Sequence, residues 1–151
     1  MAVRNGQKLD QIGILLSAQD LEKAENFYCD VLGAKLAHRY TLDDGATYLG
    51  LGLHLGNAYI TVARRLPTVP TFVHYVRDVD AAIDRALAAG ATLTRSSKTH
   101  PIWDAPWGDR VGCIIDPAGI WRRFQARREV ISFEELQERA KAERDFRQSA
   151  R

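Results

Sequence analysis

The side chains best suited to chemistry in this sequence are aromatic and basic residues of its second half. Trp121 and Arg123 are two residues apart in a strand-like run, so on a strand they would share one face. If that face lines a binding site, the pair could hold a flat or anionic ligand by stacking and charge-assisted hydrogen bonds. Arg122 and Phe124 are the alternative inward pair, and the register of the strand decides between the two.

Two further tryptophans lie in a segment punctuated by prolines. Because indoles are unfavourable to leave in water, Trp103 and Trp107 are predicted either to cover a cavity or to wedge into the core. His74 lies on an apolar strand, where it could act as an acid or base. The structural alternative for His74 is a hydrogen-bonded histidine of the core or of a dimer interface. Carboxylates paired for acid–base catalysis are not evident, since the acidic residues cluster in turns and helices.

Composition restricts the classes of protein to which the chain can belong. Its 151 residues are 46% hydrophobic, which suits one globular domain with a core of its own. The net charge of +2 gives little reason to expect a nucleic-acid partner. Cys29 and Cys113 form no CxxC pattern, so buried free thiols are predicted. With no signal pattern and no long apolar run, the sequence indicates a cytoplasmic protein that binds no membrane.

Hydrophobic spacing predicts the elements that must position these side chains. Ser17 to Asp20 resembles a capping signal for the first helix, which Gly33 would end, and Asp78 would cap the second helix. The turn Asp116-Pro-Ala-Gly119 closes a predicted hairpin, because proline presets one turn angle and glycine tolerates a positive φ. The predicted strands are 12–16, 35–40, 46–53, 57–64, 71–76, 91–94, 111–115 and 121–126, and the predicted helices are 21–32 and 79–89.

The order of these elements repeats once along the chain. The fragments around Gly33 and Gly90 occupy equivalent places in a weak internal repeat of strand, helix and three strands. The sequence therefore predicts an α+β fold of two βαβββ modules, about 9–65 and 70–127, within one domain of residues 1–128. Ser132 and Glu135 form a capping box that would open a helix to about Phe146 in an extension of residues 129–151.

Several local motifs, taken together and in order, resemble the vicinal oxygen chelate superfamily. This superfamily includes glyoxalase I, extradiol dioxygenases and bleomycin-resistance proteins, and the resemblance is greatest to the bleomycin-resistance-like and PhnB-like branches. It extends over roughly residues 9–127. The motifs are Asp20-Leu-Glu-Lys-Ala-x-x-Phe-Tyr28, Val31-Leu-Gly-Ala34, Val76-x-Asp-Val-Asp80 with Ala89-Gly-Ala91, and Trp107-Gly-Asp-Arg110 with Asp116-Pro-Ala-Gly119.

The resemblance implies a homodimer-prone fold whose strands curl into a cup. Catalytic members hold a divalent metal there through His, Gln or Glu side chains from four strands, and the metal supplies Lewis acidity. An arginine at a ligand position would repel such a cation, so the metal site is predicted to be lost and no cofactor is expected. A degenerate site with a divalent metal is the alternative. The corresponding positions carry Gln11 or Gly13, residues 58–61 without a carboxylate or imidazole, Phe72 or His74, and Arg123.

These considerations predict a metal-independent protein that binds an aromatic or amphipathic small molecule, as in drug sequestration of the bleomycin-resistance kind. The expected partners are that ligand and a second copy of the chain. One alternative is a lyase, isomerase or dioxygenase that uses a degenerate metal site or His74 as an acid–base group. Another is a regulatory or scaffold dimer with a vestigial cup. The predicted ligand-binding residues are Tyr48, Tyr59, Phe72, His74, Trp103, Trp107, Trp121 and Arg123, and His74 is the candidate for catalysis.

Overall fold

The first module begins with an apolar strand and a short helix. A computed structural model describes residues 12–41, 48–64, 69–94, 102–132, 134–139 and 141–142. The N-cap of the helix is Asp20, whose Oδ1 accepts a hydrogen bond from the Lys23 backbone N–H at 3.0 Å, so Ser17 is not the cap that the sequence suggested. The elements are β1 (Ile12–Ser17), α1 (Leu21–Asn26) with a π-helical continuation (Phe27–Val31), β2 (Lys35–Thr41), β3 (Tyr48–Leu55) and β4 (Ala58–Ala63).

The second module repeats this order with one interrupted strand. Asp78 caps its helix by accepting from the Ala81 backbone N–H, as the sequence indicated. The predicted Asp-Pro-Ala-Gly hairpin is present: Asp116 Oδ1 accepts from the Ala118 and Ile120 backbone N–H groups at 2.9 and 3.0 Å. The elements are β5 (Thr71–Tyr75), α2 (Val79–Ala88), β6 (Thr92–Leu93), β7 (Ile102–Asp104), β8 (Asp109–Ile115) and β9 (Trp121–Arg127).

All the described strands join one mixed sheet in the order β2-β3-β4-β1-β5-β9-β8-β6, with β7 also paired to β8. The two modules meet where β1 runs antiparallel to β5. Within each module the first strand is parallel to the last, β1 to β4 and β5 to β9. β6 and β7 lie along β8, so they together replace one strand of the repeat. The predicted α+β fold with a curled sheet is confirmed.

Both helices pack on the same face of this sheet, which we call the helix face. Leu21 of α1 packs with Leu51 and Ile60, and Ile83 of α2 packs with Ile114. Burying such side chains contributes about 1.5–3 kcal/mol each. Because side chains alternate along a strand, the intervening residues point to the other side of the sheet. We call that side the opposite face.

Beyond β9 the chain continues into the predicted C-terminal helix, described over 134–139 and 141–142. Ser132 Oγ accepts from the Glu135 backbone N–H at 3.1 Å, which confirms the predicted cap. Arg139 then donates to Glu129 and Glu135. The predicted end near Phe146 lies outside the described residues. Among those that are described, no helix has the length and hydropathy needed to cross a membrane.

Candidate functional site

A buried arginine occupies the centre of the second module on the opposite face. Arg123 lies on β9, directly between Val73 of β5 and Cys113 of β8, and is only 8% exposed. Its guanidinium carbon lies 5.8 Å from the ring centroid of Trp103 and 5.4 Å from that of Trp107. Cations at this distance from an indole face are attracted by the ring quadrupole. The three side chains therefore form one cationic–aromatic cluster.

The two indoles are positioned by the strands and by a turn. Trp103 lies on β7 opposite Val111, so it is a sheet residue and not part of a loop cover. Both indoles pack against Ala105, Val111 and Cys113, which agrees with the predicted alternative of wedging into the core. Each remains half-buried. Part of the surface of each residue is therefore accessible to solvent.

Gly108 sets the turn that directs Trp107 toward the sheet. Its φ of +90° is a left-handed conformation, and a Cβ at this position would lie 2.6 Å from the Glu129 backbone oxygen. Only glycine satisfies both conditions. The glycine of the Trp-Gly-Asp-Arg motif is therefore required by the backbone conformation of this turn.

A buried carboxylate holds the second indole. Asp109 is 1% exposed, and its Oδ2 accepts from Trp107 Nε1 at 3.1 Å and from Gln125 Nε2. The Nε of Arg127 lies 3.8 Å from Asp109 Oδ1. Buried donors and acceptors are costly when unpaired, so this network fixes the orientation of Trp107 beside Arg123. Neither Asp109 nor Gln125 was among the predicted site residues, although Gln125 shares strand parity with Arg123 on β9.

Cys113 contributes a neutral thiol to the same face. Burial raises the pKa of this thiol, and the nearby Arg123 cation opposes that rise only in part. A thiol with a raised pKa is a poor nucleophile. Cys113 is buried as predicted, whereas Cys29 is half-buried, and both are free.

Tyrosines fill the opposite face of the first module, where two glycines leave room for their rings. Tyr59 is 1% exposed, and its hydroxyl lies 2.2 Å from where a Cβ of Gly52 would be. The hydroxyl of Tyr75 lies 3.1 Å from a Cβ built on Gly13. Tyr75 was not among the predicted site residues. The pairing of β5 with β1 is a long-range contact that no local pattern reveals.

The prediction that Phe72 and His74 line the same cup as Arg123 is wrong. The two residues lie on the helix face, because β5 pairs in parallel with β9 in a register that sets Val73 beside Arg123. Phe72 and His74 are instead paired with Arg122 and Phe124. The Arg122 guanidinium carbon is 5.6 Å from the Phe72 ring, and the rings of His74 and Phe124 are 5.5 Å apart.

His74 has the environment of a structural histidine. Its Nε2 lies 3.1 Å from Arg122 Nη1. Burial, and then the Arg122 cation, lower the pKa of the His74 imidazole, so it is neutral near pH 7. An imidazole held on the helix face cannot act on a ligand bound beside Arg123.

Of the remaining predicted residues, one lies on the opposite face and the others fall, in whole or in their side chain, outside the described part of the chain. Trp121, paired with Ile115, has the same strand parity as Arg123, so the inward pair is Trp121 and Arg123 and not Arg122 and Phe124. Tyr48 begins β3, but its side chain lies outside the described residues, as does all of Gln11.

The residues at the expected ligand positions do not fit a divalent metal. Arg123 is itself a cation, and the Tyr75 phenol fills the space above Gly13. Within the described ranges, no group of three His, Cys, Asp or Glu side chains comes together in a way that could hold a metal ion.

Comparison with known proteins identifies the family. Residues 8–124 match the family described as the Glyoxalase/Bleomycin resistance protein/Dioxygenase superfamily. The uncharacterised protein Mb0911c of Mycobacterium bovis is 43% identical over 70 residues, which are 45% of this chain and 42% of that protein. The uncharacterised protein Rv0887c of Mycobacterium tuberculosis is equally identical over 70 residues, 45% of this chain and 38% of its own length. The match thus spans about two fifths of these curated relatives.

Solved structures share the fold. The methylmalonyl-CoA epimerase of Mycobacterium tuberculosis aligns with a TM-score of 0.52 and 23% identity, over 79% of this chain and 87% of its own. A glyoxalase/bleomycin resistance protein/dioxygenase superfamily member from Vibrio splendidus 12B01 aligns with a TM-score of 0.52 and 17% identity, over 78% and 97% of the two chains. At these identities the likeness shows the fold alone. Since the family match runs through both modules, the chain belongs to the Glyoxalase/Bleomycin resistance protein/Dioxygenase superfamily.

Proposed function

We propose that the protein binds a small aromatic or amphipathic molecule with a negatively charged group, without a metal, on the opposite face of its second module. The observation that carries this proposal is Arg123, a residue only 8% exposed whose guanidinium carbon lies within 6 Å of two indole ring centroids. Sequestration of such a compound, as the resemblance to bleomycin-resistance proteins suggests, is one form of this function.

The cluster combines the two interactions that such a ligand needs. A guanidinium in a largely buried site attracts a carboxylate or sulfonate more strongly than it would in water, because the local dielectric constant is low. The half-buried indoles of Trp103 and Trp107 offer flat apolar surface to an aromatic group. Ligand sites of proteins commonly pair apolar walls with a few polar groups in this way.

The same geometry favours binding over the enzymatic alternative. Arg123 stands where the family resemblance places a carboxylate ligand, and a cation there opposes a divalent metal. His74 lies on the helix face against Arg122. The position of His74 therefore does not support acid–base catalysis on a ligand bound beside Arg123. The homodimer implied by the resemblance stays a prediction, which light scattering of the purified protein would check.

The proposal is tested with a pair of probes that differ in charge. We expect 8-anilinonaphthalene-1-sulfonate to bind the wild type and Arg123→Gln to weaken it by about 10- to 100-fold, as for loss of one charge-assisted hydrogen bond. Neutral N-phenyl-1-naphthylamine should lose far less affinity. The matched control is Arg122→Gln, on the same strand but on the helix face, which should leave sulfonate binding unchanged.

Two outcomes would contradict the proposal. One is equal loss of sulfonate affinity in folded Arg122→Gln and Arg123→Gln, with circular dichroism confirming the fold of each. The other is tight, stoichiometric binding of Zn²⁺ or Mn²⁺ in isothermal titration that His74→Ala abolishes. The second result would favour the degenerate metal site.

A further inference from the structure

We infer that the protein carries a second small-molecule site, for a phosphorylated ligand, in an arginine-lined cavity on the helix face. The cavity, of about 370 Å³, lies between the start of α2, the start of β8 and the end of β9. It is separate from the Arg123 cluster, which belongs to the opposite face. Its charged lining residues are Arg77, Asp78, Asp80, Arg110, Arg127 and Arg128.

One arginine of the lining is held by carboxylates through all three of its side-chain nitrogens. Arg110 Nε and Nη2 donate to Asp80 Oδ2 and Oδ1 at 2.7 and 2.8 Å, and Nη1 donates to Asp104 Oδ1 at 3.2 Å. The hydrogen bonds from Arg110 lower the pKa of Asp80, which therefore stays ionised. This bidentate pair forms a fixed wall of the cavity and leaves little of Arg110 for a ligand.

Two further arginines of the lining, Arg77 and Arg128, keep donor capacity for a ligand. Arg128 Nη2 lies 3.9 Å from Asp80, a distance longer than a hydrogen bond. Arg127 has the strand parity of Arg123 and its Nε lies 3.8 Å from Asp109 on the opposite face, so its guanidinium is not counted among the ligand donors. Arg77 is exposed and forms no ion pair with the part of the chain that the structure describes. Each guanidinium carries five N–H donors in a planar fork.

The helix start is not itself the binding group. Asp78 Oδ1 already accepts from the Ala81 backbone N–H at 3.0 Å, so the cap is occupied by the chain's own carboxylate. The positive end of the helix dipole adds a field of the same sign as the arginines. Binding would depend on the guanidinium groups of Arg77 and Arg128.

This arrangement matches phosphate better than a single carboxylate. Several guanidinium forks can bind the oxygens of one phosphate or pyrophosphate, whose charge balances more than one arginine. The volume of the cavity falls in the range of small-molecule sites. A nucleic-acid backbone would need a basic stripe over an extended surface, whereas these arginines converge on one concavity and the whole chain has a net charge of only +2.

Isothermal titration with inorganic pyrophosphate tests this inference. We expect saturable one-to-one binding at about 50 mM salt that weakens as salt is raised, because charge dominates the contact. The double variant Arg77→Gln/Arg128→Gln should bind at least about ten-fold more weakly, as for loss of charge-assisted hydrogen bonds. The matched control is Arg85→Gln, which removes an exposed arginine from the last turn of α2, outside the cavity, and should bind as the wild type does.

Three results would overturn the inference. The first is a wild type that shows no saturable pyrophosphate binding. The second is equal loss in Arg85→Gln and in the double variant, since that would indicate a general surface charge and not a site. The third is tighter binding, per phosphate, of a single-stranded oligonucleotide than of pyrophosphate. Thermal unfolding of each variant confirms that it is folded, and should the double variant unfold, Arg77→Gln alone is measured in its place.

Discussion

Two neighbouring arginines on β9 differ in burial, in the face they occupy and in their polar partners. Arg123 is buried on the opposite face between two indoles, whereas the side chain of Arg122 is 32% exposed on the helix face. The Nε of Arg122 donates to Asp116 Oδ2 at 2.6 Å, where it ties the strand to the hairpin turn. A single step along a strand thus changes an arginine from a candidate ligand group to a structural ion pair.

The carboxylates follow the same division. Asp109, on the opposite face, is buried and accepts from an indole and an amide. Asp80, on the helix face, is half-exposed and pairs with Arg110. Buried charges are strongly coupled to their partners, whereas exposed ion pairs are weakened by solvent. The comparison therefore predicts that equivalent substitutions on the two faces have unequal effects.

The largest expected effect is the loss of the buried carboxylate. Asp109→Ala should lower the free energy of unfolding by about 2–4 kcal/mol, because it leaves the N–H donors of Trp107 and Gln125 unpaired. Asp80→Ala should cost about 1 kcal/mol or less, since its ion pair is partly exposed. Urea unfolding followed by circular dichroism measures both. Equal losses would contradict the division between the faces.

A smaller difference is expected from adding one methyl group to each face. Gly52→Ala places a Cβ 2.2 Å from the Tyr59 hydroxyl, against a fully buried ring, and should cost about 1–3 kcal/mol by overpacking. Gly112→Ala, on the helix face, places a Cβ 3.0 Å from the nearest atoms of the buried Ile83, a smaller overlap than the one at Gly52. We expect the smaller loss there, measured as the shift in urea midpoint. A larger loss for Gly112→Ala would show that the helix face is the less tolerant of the two.

The smallest expected effect is the pH dependence of His74. The pKa of this imidazole is lowered in the folded protein, so protonation favours the unfolded chain. The free energy of unfolding should therefore fall as pH is lowered from about 7 to about 5, through the ordinary histidine range and above that of the carboxylates. His74→Gln should show a shallower fall over the same window in thermal unfolding. Identical slopes in the two proteins would contradict this assignment.

Much of the fold could be predicted because its signals are local. Asp78 before α2, Ser132 before the C-terminal helix and the turn at Asp116 act within a few residues, and each has its predicted role. The first cap was misplaced by three residues, since Ser17 ends β1 and Asp20 caps α1. Capping patterns constrain a helix start well but do not distinguish two polar residues on the same short loop.

The site was only partly predictable because it depends on contacts between distant segments. Trp103, Trp107 and Arg123 were named from their residue types, and the structure brings these three together. His74 was named for its chemistry and lies on the other face. Tyr75 was missed, although it fills the space above Gly13.

By itself the sequence determined the α+β class, the two modules and the positions of helices and turns, because capping, turn chemistry and hydrophobic spacing act over short distances. It also determined that an arginine stands after the Asp-Pro-Ala-Gly turn. Only the tertiary structure decided which side chains share a face across strands. Alternation relates residues within one strand, but a register shift of one residue between strands exchanges their faces, and that register is set by long-range pairing.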